Sequence, residues 1–383
     1  MEGALPRAAA SELTAHRRPL GALTGIRFFA AFYVVVFHTR IAAVLSDHGH
    51  RAAGYFFGSG YLAVPLFFLL SGFILAYTYN GQIEGRGDYR RFWEARFARI
   101  WPVYAVSLLL SSVVSMTLPK PAVGLATLLM VQAWNPFNLG MAGAWNIVCW
   151  TLSAEALFYL CFPWIQIWLE RRSPRMMLFF IGVMLLLCVA TNSASRTLGS
   201  EAQGVYRWIP LAPLHLFEFI AGVGLGNYFL QRFVFASAGS GGAVLRGAGV
   251  WTYLSALATV GLLCRAPGRW TSLVVIGFSA LIFGLAAERT LLSRFLSTKT
   301  MLLGGGISYS VYLMQMPVKS SVSSVAGHLH VRSEIVRMGL TMVVLLGVSF
   351  FLFKAVEDPA RRVLRSFFAG LERGRSQAMA TRD

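Results

Sequence analysis

The stretch Thr24-Gly25-Ile26-Arg27-Phe28-Phe29-Ala30-Ala31-Phe32-Tyr33-Val34-Val35-Val36-Phe37-His38 decides how the chain is read. It is apolar enough to span a bilayer, yet it carries an arginine and a histidine. An ionisable group at the bilayer centre costs about 2.5 kcal/mol or more, so such a group marks a functional site by default. Arg27 and His38 lie eleven positions apart. That is about three helical turns, so both project from one helix face, about 16 Å apart along the axis. The face offers a fixed cation near one membrane surface and a titratable imidazole deeper in. The plainer alternative is that Arg27 reaches the headgroups along its apolar stem and His38 is a hydrogen-bonded packing residue. The rest of the chain arbitrates.

Composition points the same way. Of 383 residues, 56% are hydrophobic and only 13% charged. Soluble domains carry about 25% charge, so a soluble globular chain is excluded. The net charge of +18 does not indicate nucleic acid, because no soluble basic module is visible. In a membrane protein it reads first as topology. Cys149, Cys161, Cys188 and Cys264 all lie in apolar runs without CxxC spacing, which indicates small buried hydrophobes rather than disulfides or metal ligands. No metal site is expected. Met1–Leu20 is basic and Ala-rich without an apolar core, so no cleavable signal peptide is expected and the first span serves as the insertion signal.

Apolar runs fall at 23–44, 58–79, 101–118, 122–134, 146–169, 175–191, 211–231, 249–264, 270–287, 302–322 and 335–356. The run 122–134 is too short for a span. If it crossed, Arg171, Arg172, Arg175, Arg232, Arg246, Arg289, Arg294 and Lys299 would face outward. If it does not, most of the 34 lysines and arginines lie on the cytoplasmic side, as the positive-inside rule requires. The expectation is an all-α polytopic membrane protein with about ten transmembrane helices and both termini cytoplasmic. Region 119–145 becomes an outer loop with a re-entrant helix, tolerated only where protein or a cavity covers it. Ala236–Gly249 reads as a flexible inner loop, and residues 358–383 as a basic tail able to lie along the membrane. Neither an internal repeat nor a second soluble domain is apparent.

The densest basic cluster is the first inner loop: Arg86, Arg90, Arg91, Arg96 and Arg99, interleaved with Phe92, Trp93 and Phe97. Arg96 and Arg99 share a face at i, i+3. Guanidinium forks suit phosphate oxygens and the aromatics offer a stacking surface, although a positive-inside anchor has the same composition. In the second span Pro65 can kink the helix, and Ser71-Gly72 admits a close backbone or a slim ligand. Glu155 sits in the apolar run Trp150-Thr151-Leu152-Ser153-Ala154-Glu155 and must be neutral or face a cation. Arg27 and His38 are the candidate partners. Glu218 is a second buried acid, and His215 beside it is a rival titratable group. The run Gly222, Gly224, Gly226 lacks the strand of a dinucleotide fingerprint. Ser308, Tyr309, Tyr312 and Gln315 form a polar stripe behind Gly304-Gly305-Gly306. A stripe of this kind faces a cavity or a neighbouring helix. Glu357-Asp358 reads as a surface cap pairing with Arg361 or Arg362.

In this order the segments resemble the acyltransferase-3 family of integral membrane acyltransferases. The likeness rests on seven blocks covering nearly the whole chain. They are Arg27-x10-His38, Phe67-Phe68-Leu69-Leu70-Ser71-Gly72-Phe73, Arg96-x-x-Arg99-Ile100-x-Pro102-x-Tyr104, Trp150 to Glu155, Glu218-Phe219 with its glycines, Ile307 to Leu313, and Glu357-x-Pro359. The resemblance implies transfer of an acyl group, usually acetyl from acetyl-CoA, to a hydroxyl of a glycan or other acceptor. The parts implied are a cytosolic tail (1–22), a transmembrane acyltransferase domain (23–357) built around a central acyl-CoA tunnel, and a basic cytosolic tail (358–383). The implied location is the bacterial cytoplasmic (inner) membrane. Members with a fused SGNH-type domain exist, and this chain is not expected to carry one. Where the family commonly reads Tyr-Leu-x-His, this chain has Tyr312-Leu313-Met314-Gln315. Gln315 cannot take up a proton, which leaves His38 as the strong candidate base.

The expected division of labour follows. Arg96 and Arg99, helped by Arg90 and Arg91, hold the CoA phosphates. The pantetheine arm threads past Ser71-Gly72 and the glycines at 304–306. His38 takes the acceptor's proton or is itself acylated, and the sequence leaves both routes open. Arg27, Tyr309 or Tyr312 stabilises the oxyanion, and Glu155 orients His38 or neutralises Arg27. The expected partners are acyl-CoA, a hydroxyl acceptor such as an envelope or extracellular glycan, and membrane lipids, with no nucleic acid. Two alternatives share these residues: a transporter of small molecules or lipid-linked sugars, and an acyltransferase for a secreted natural product.

Overall fold

The computed structural model describes residues 19–39, 41–134, 139–197, 211–235 and 249–380. Most of the expected N-terminal tail and the inner loop after residue 235 lie outside the described residues. Among the described residues every regular element is helical. Six segments are long and apolar enough to cross a membrane: Arg51–Tyr79, Arg86–Ser115, Ile147–Glu170, Pro174–Ser193, Trp270–Ala287 and Glu334–Leu371. A seventh arises if α1 (Gly21–Phe37) and α2 (Ile41–Asp47), bent by 66°, are one broken span. The protein is therefore an all-α polytopic membrane protein. The expected spans at 211–231, 249–264 and 302–322 fall short by length or by polarity. They correspond to a 14-residue helix, α9 (Leu216–Phe229), a second of 14 residues, α10 (Val250–Leu263), and the 30-residue α13 (Lys299–His328), which buries Ser308, Ser310 and Gln315 among apolar residues.

The other α-helices of six residues or more are α3 (Arg51–Gly58), α4 (Ala63–Tyr79), α5 (Arg86–Ser115), α6 (Pro121–Leu128), α7 (Trp150–Glu170), α8 (Pro174–Thr197), α11 (Val274–Ala287), α12 (Leu291–Leu296), α14 (Glu334–Leu352) and α15 (Asp358–Ala380). Two expectations change. The basic stretch 86–100 is the first half of α5, not a loop. Asp88 starts that helix by accepting from the Gly85 N–H at 3.1 Å, a side-chain cap of an otherwise orphaned donor. Pro65 lies in the first turn of α4, where its missing N–H breaks no intrahelical bond, so it opens the helix instead of kinking it. The doubtful 122–134 run contains only the eight-residue α6. Its end is held to the bundle by Tyr104, which donates to Thr127 O at 2.7 Å, and by Gln132, which donates to Cys149 O at 3.1 Å.

Two close helix contacts set the frame of the site. At the α4–α9 crossing, a Cβ on Gly72 would lie 2.2 Å from Phe219 O, and one on Gly222 would lie 2.2 Å from Leu69 O. These backbones touch because neither residue has a side chain. At the α1–α13 crossing, a Cβ on Gly305 would lie 2.1 Å from Thr24 O. Helix α1 is thereby pressed on α13, which brings Arg27 and His38 beside the polar stripe of α13.

Candidate active site

Five helices converge on one narrow cavity of about 90 Å³. Helix α1 gives it Arg27, α4 gives Ser71, α5 gives Arg96 and Arg99, α7 gives Glu155 and Tyr159, and α13 gives Tyr309 and Tyr312. Arg27, Ser71, Arg96, Arg99, Glu155, Tyr309 and Tyr312, all candidate site residues from the sequence, thus meet in one place. Three cations and a single carboxylate line the cavity. Glu155 interacts electrostatically with Arg27, Arg99 and Arg96, but its hydrogen-bond partner is the Tyr159 hydroxyl at 3.2 Å. None of the three guanidiniums has a hydrogen bond or ion pair among the described residues. Arg96 lies 5.8 Å from the centre of the Tyr79 ring, and its buried Nε has no hydrogen-bond partner. A buried donor left open in this way fits an oxyanion ligand.

The hydroxyls of the cavity are held in place. Tyr309 donates to Ile100 O at 2.8 Å, tying α13 to α5. Thr151 lies 3.1 Å from the Tyr312 hydroxyl, and Ser71 lies 3.5 Å from that of Tyr159. Glu357 turns inward instead of capping the surface: it is buried, accepts from Ser310 at 3.2 Å and faces Arg99 and Arg27 electrostatically. Asp358 alone takes the expected pairs, at 2.8 Å to both Arg361 and Arg362.

His38 occupies a second, wider cavity of about 500 Å³, next to Val34, Phe37, Tyr61 and Pro65. Val64 and Tyr312 line both cavities and form the partition between them. His38 stands at the C-terminal end of α1, where the helix stops before α2. Its Nδ1 is 2.9 Å from Val34 O and 3.0 Å from Gln315 Oε1. Gln315 is fixed in turn by donating to Tyr312 O at 2.8 Å, and Lys319 donates to the His38 carbonyl. Both groups facing Nδ1 are acceptors, so Nδ1 carries the hydrogen. Nε2, which has no hydrogen-bond partner among the described residues, then keeps its lone pair. Glu155 is thus not the partner of His38. Gln315 is.

The other sequence candidates lie elsewhere. Arg90 pairs with Glu94 at 2.5 Å and Arg91 with Asp88 at 2.6 Å, both within α5 and outside the cavity lining. Gly72 packs on α9, and Gly304 and Gly305 pack on α1. Among the described residues no cluster of three potential metal ligands exists.

The family profile described as an acyltransferase domain matches residues 20–354, which contain both cavities. The chain belongs to the acyltransferase-3 family. This acyltransferase-3 chain is 32% identical over 225 residues to acyltransferase MdmB of Streptomyces mycarofaciens, covering 53% of this chain and 56% of that protein. It is 25% identical over 406 aligned positions to O-acetyltransferase OatA of Staphylococcus aureus, covering 95% of this chain and 61% of that protein. It is also 43% identical over 93 residues to protein 2 in the picA locus of Rhizobium radiobacter, covering 23% of this chain and 41% of that protein. The chain thus spans about two-fifths to three-fifths of the length of these relatives. No solved structure matches it. It is thus an integral membrane member of that family.

Proposed function

We propose that this acyltransferase takes an acyl group, acetyl in the first instance, from acyl-CoA on the cytoplasmic side of the bacterial inner membrane and passes it to a hydroxyl of an envelope or extracellular glycan. The observation that carries this reading is the trio Arg27, Arg96 and Arg99: three guanidiniums with no hydrogen bond or ion pair among the described residues, facing one cavity lined by a single carboxylate. Such a field binds a polyanion, and the CoA phosphates are one. Arg96 and Arg99 hold the phosphates, with Arg90 and Arg91 adding positive charge further along α5. The thioester reaches the Val64–Tyr312 partition. In this reading about ten spans cross the membrane, counting the short α9 and α10 and the polar α13, with both termini cytoplasmic.

His38 Nε2 takes the proton of the acceptor hydroxyl as its oxygen attacks the thioester carbonyl. The C–S bond breaks, the CoA thiolate leaves, and His38 returns the proton to it. General-base help of this kind contributes about 10²–10⁴-fold. Gln315 and Val34 keep His38 in the tautomer the step needs. The Tyr312 hydroxyl, which lines both cavities, stabilises the developing charge on the carbonyl oxygen, and Arg27 adds positive charge from the narrower cavity. Tyr309 and Ser71 shape the wall, and Glu155 moderates the repulsion among the arginines.

The test is transfer from [¹⁴C]acetyl-CoA into envelope fractions by membranes carrying the protein. Label in a hydroxyl-linked, base-labile ester is the expected result. Absence of CoA binding by the purified protein would refute the reading and favour a transporter.

A further inference from the structure

The wider cavity holds a second imidazole for which the transfer step gives no task. His215, at the N-cap of α9, lines this cavity together with His38. Its ring is held between Phe68 and Trp150, with centroids 5.4 and 5.3 Å away. Its Nδ1 lies 3.3 Å from Oε1 of Glu218. Glu218 is 0% exposed. Its only other hydrogen-bond partner among the described residues is Asn192 Nδ2 at 3.4 Å, and its Oε2 has no partner there. Glu218 also sits in the first turn of α9, where the helix dipole favours an acid. That accounts for a carboxylate at this position, but not for the imidazole it holds against the cavity wall.

A carboxylate only accepts hydrogen bonds, so the hydrogen of His215 is on Nδ1. Among the described residues Nε2 is left without a hydrogen-bond partner, as it is in His38. One cavity therefore contains two imidazoles with the same polarity, each anchored through Nδ1 to a fixed acceptor. Apart from them it is lined mostly by aromatic and aliphatic side chains, and among the described residues no lysine, arginine, aspartate or glutamate reaches it. Two open lone pairs in an apolar space select a neutral ligand that offers two hydrogen-bond donors.

We propose that His215, positioned by Glu218, is an acceptor-binding and specificity residue: its Nε2 takes a hydrogen bond from a second hydroxyl of the molecule whose first hydroxyl loses its proton to His38. The proposal rests on the reading of His38 given above and adds the residue that recognises the acceptor. A mono-alcohol would leave the His215 lone pair desolvated and unanswered, and so would react more slowly per hydroxyl than a diol.

Purified protein in lipid nanodiscs, given [¹⁴C]acetyl-CoA and either 1,2-propanediol or 1-propanol, tests this without knowledge of the natural acceptor. The wild type is expected to acetylate the diol about tenfold faster per hydroxyl, the factor that corresponds to about 1.4 kcal/mol for one buried hydrogen bond. H215F keeps an aromatic ring between Phe68 and Trp150 and should bring that ratio close to one. E218Q keeps the shape of the pair, but its amide can donate to Nδ1 and so turn Nε2 into a donor. It too should lower the ratio, which a merely structural role would not move. The proposal is overturned if the wild-type ratio is near one, if both variants keep it, if both probes slow in equal proportion, or if a CoA-binding wild type acetylates neither probe. A wild type that does not bind CoA overturns the underlying function instead.

Discussion

At the scale of single residues, the arrangement around His38 makes the sharpest demands. Its imidazole is oriented by a side-chain amide, so Q315L should leave Nδ1 with the Val34 carbonyl alone and free the ring to rotate. We expect kcat to fall about 10–100-fold with little change in KM for acyl-CoA, since general-base catalysis is worth about 10²–10⁴-fold in total. The arginines should behave in the opposite way. Losing one charge-assisted hydrogen bond costs about 1.5–3 kcal/mol, so R96Q and R99Q should each raise KM for acyl-CoA by about 10–150-fold. Steady-state titration of acetyl-CoA against each variant separates the two patterns. A kcat effect from R99Q alone, with KM unchanged, would remove Arg99 from the phosphate site. Much of this was legible in the sequence, because an arginine, a glutamate or a histidine inside an apolar run announces itself. What could not be read is pairing. Nothing in Glu155 or Gln315 says which of them meets His38, since residues 155 and 315 reach α1 through packing rather than through spacing. Glu357 was misread for the same reason: beside Asp358 and two arginines it looks like a cap, and only the π-helical turn Phe353–Glu357 aims it inward.

At the scale of elements, the glycine contacts decide whether the site exists. Gly72 has Phe219 O and Val223 N where a Cβ would go, so G72V should force α4 away from α9. We expect a loss of about 1–3 kcal/mol, the usual range for overpacking, seen as a lowered thermal midpoint in detergent. The change should act on Ser71 and on His215 together, because one stands on α4 and the other caps α9. A G72V protein as stable as the wild type would mean that the crossing is looser than its geometry implies. The apolar runs gave the cores of most helices correctly. They missed the first half of α5, because a run of arginines suppresses the hydropathy signal even though Arg, Glu and Ala are good helix formers. They also overstated α13, whose serines, tyrosines and glutamine face neighbouring helices and the cavities instead of lipid.

At the scale of the molecule, the account comes down to two cavities meeting at Val64 and Tyr312, one basic and one carrying His38. If the narrower cavity opens to the cytoplasm and the wider to the outer side, sealed vesicles of known orientation should transfer label only when acetyl-CoA is supplied on the cytoplasmic face. Equal transfer from either face would contradict that sidedness. The central claim is that donor binding and chemistry are separate, with CoA held by the arginines and the proton taken by His38. Its most direct test is single-turnover transfer from [¹⁴C]acetyl-CoA by H38A, in preparations matched to wild type for CoA binding. The account predicts that H38A binds CoA as the wild type does and transfers no label. Label transferred by H38A at the wild-type rate would contradict it.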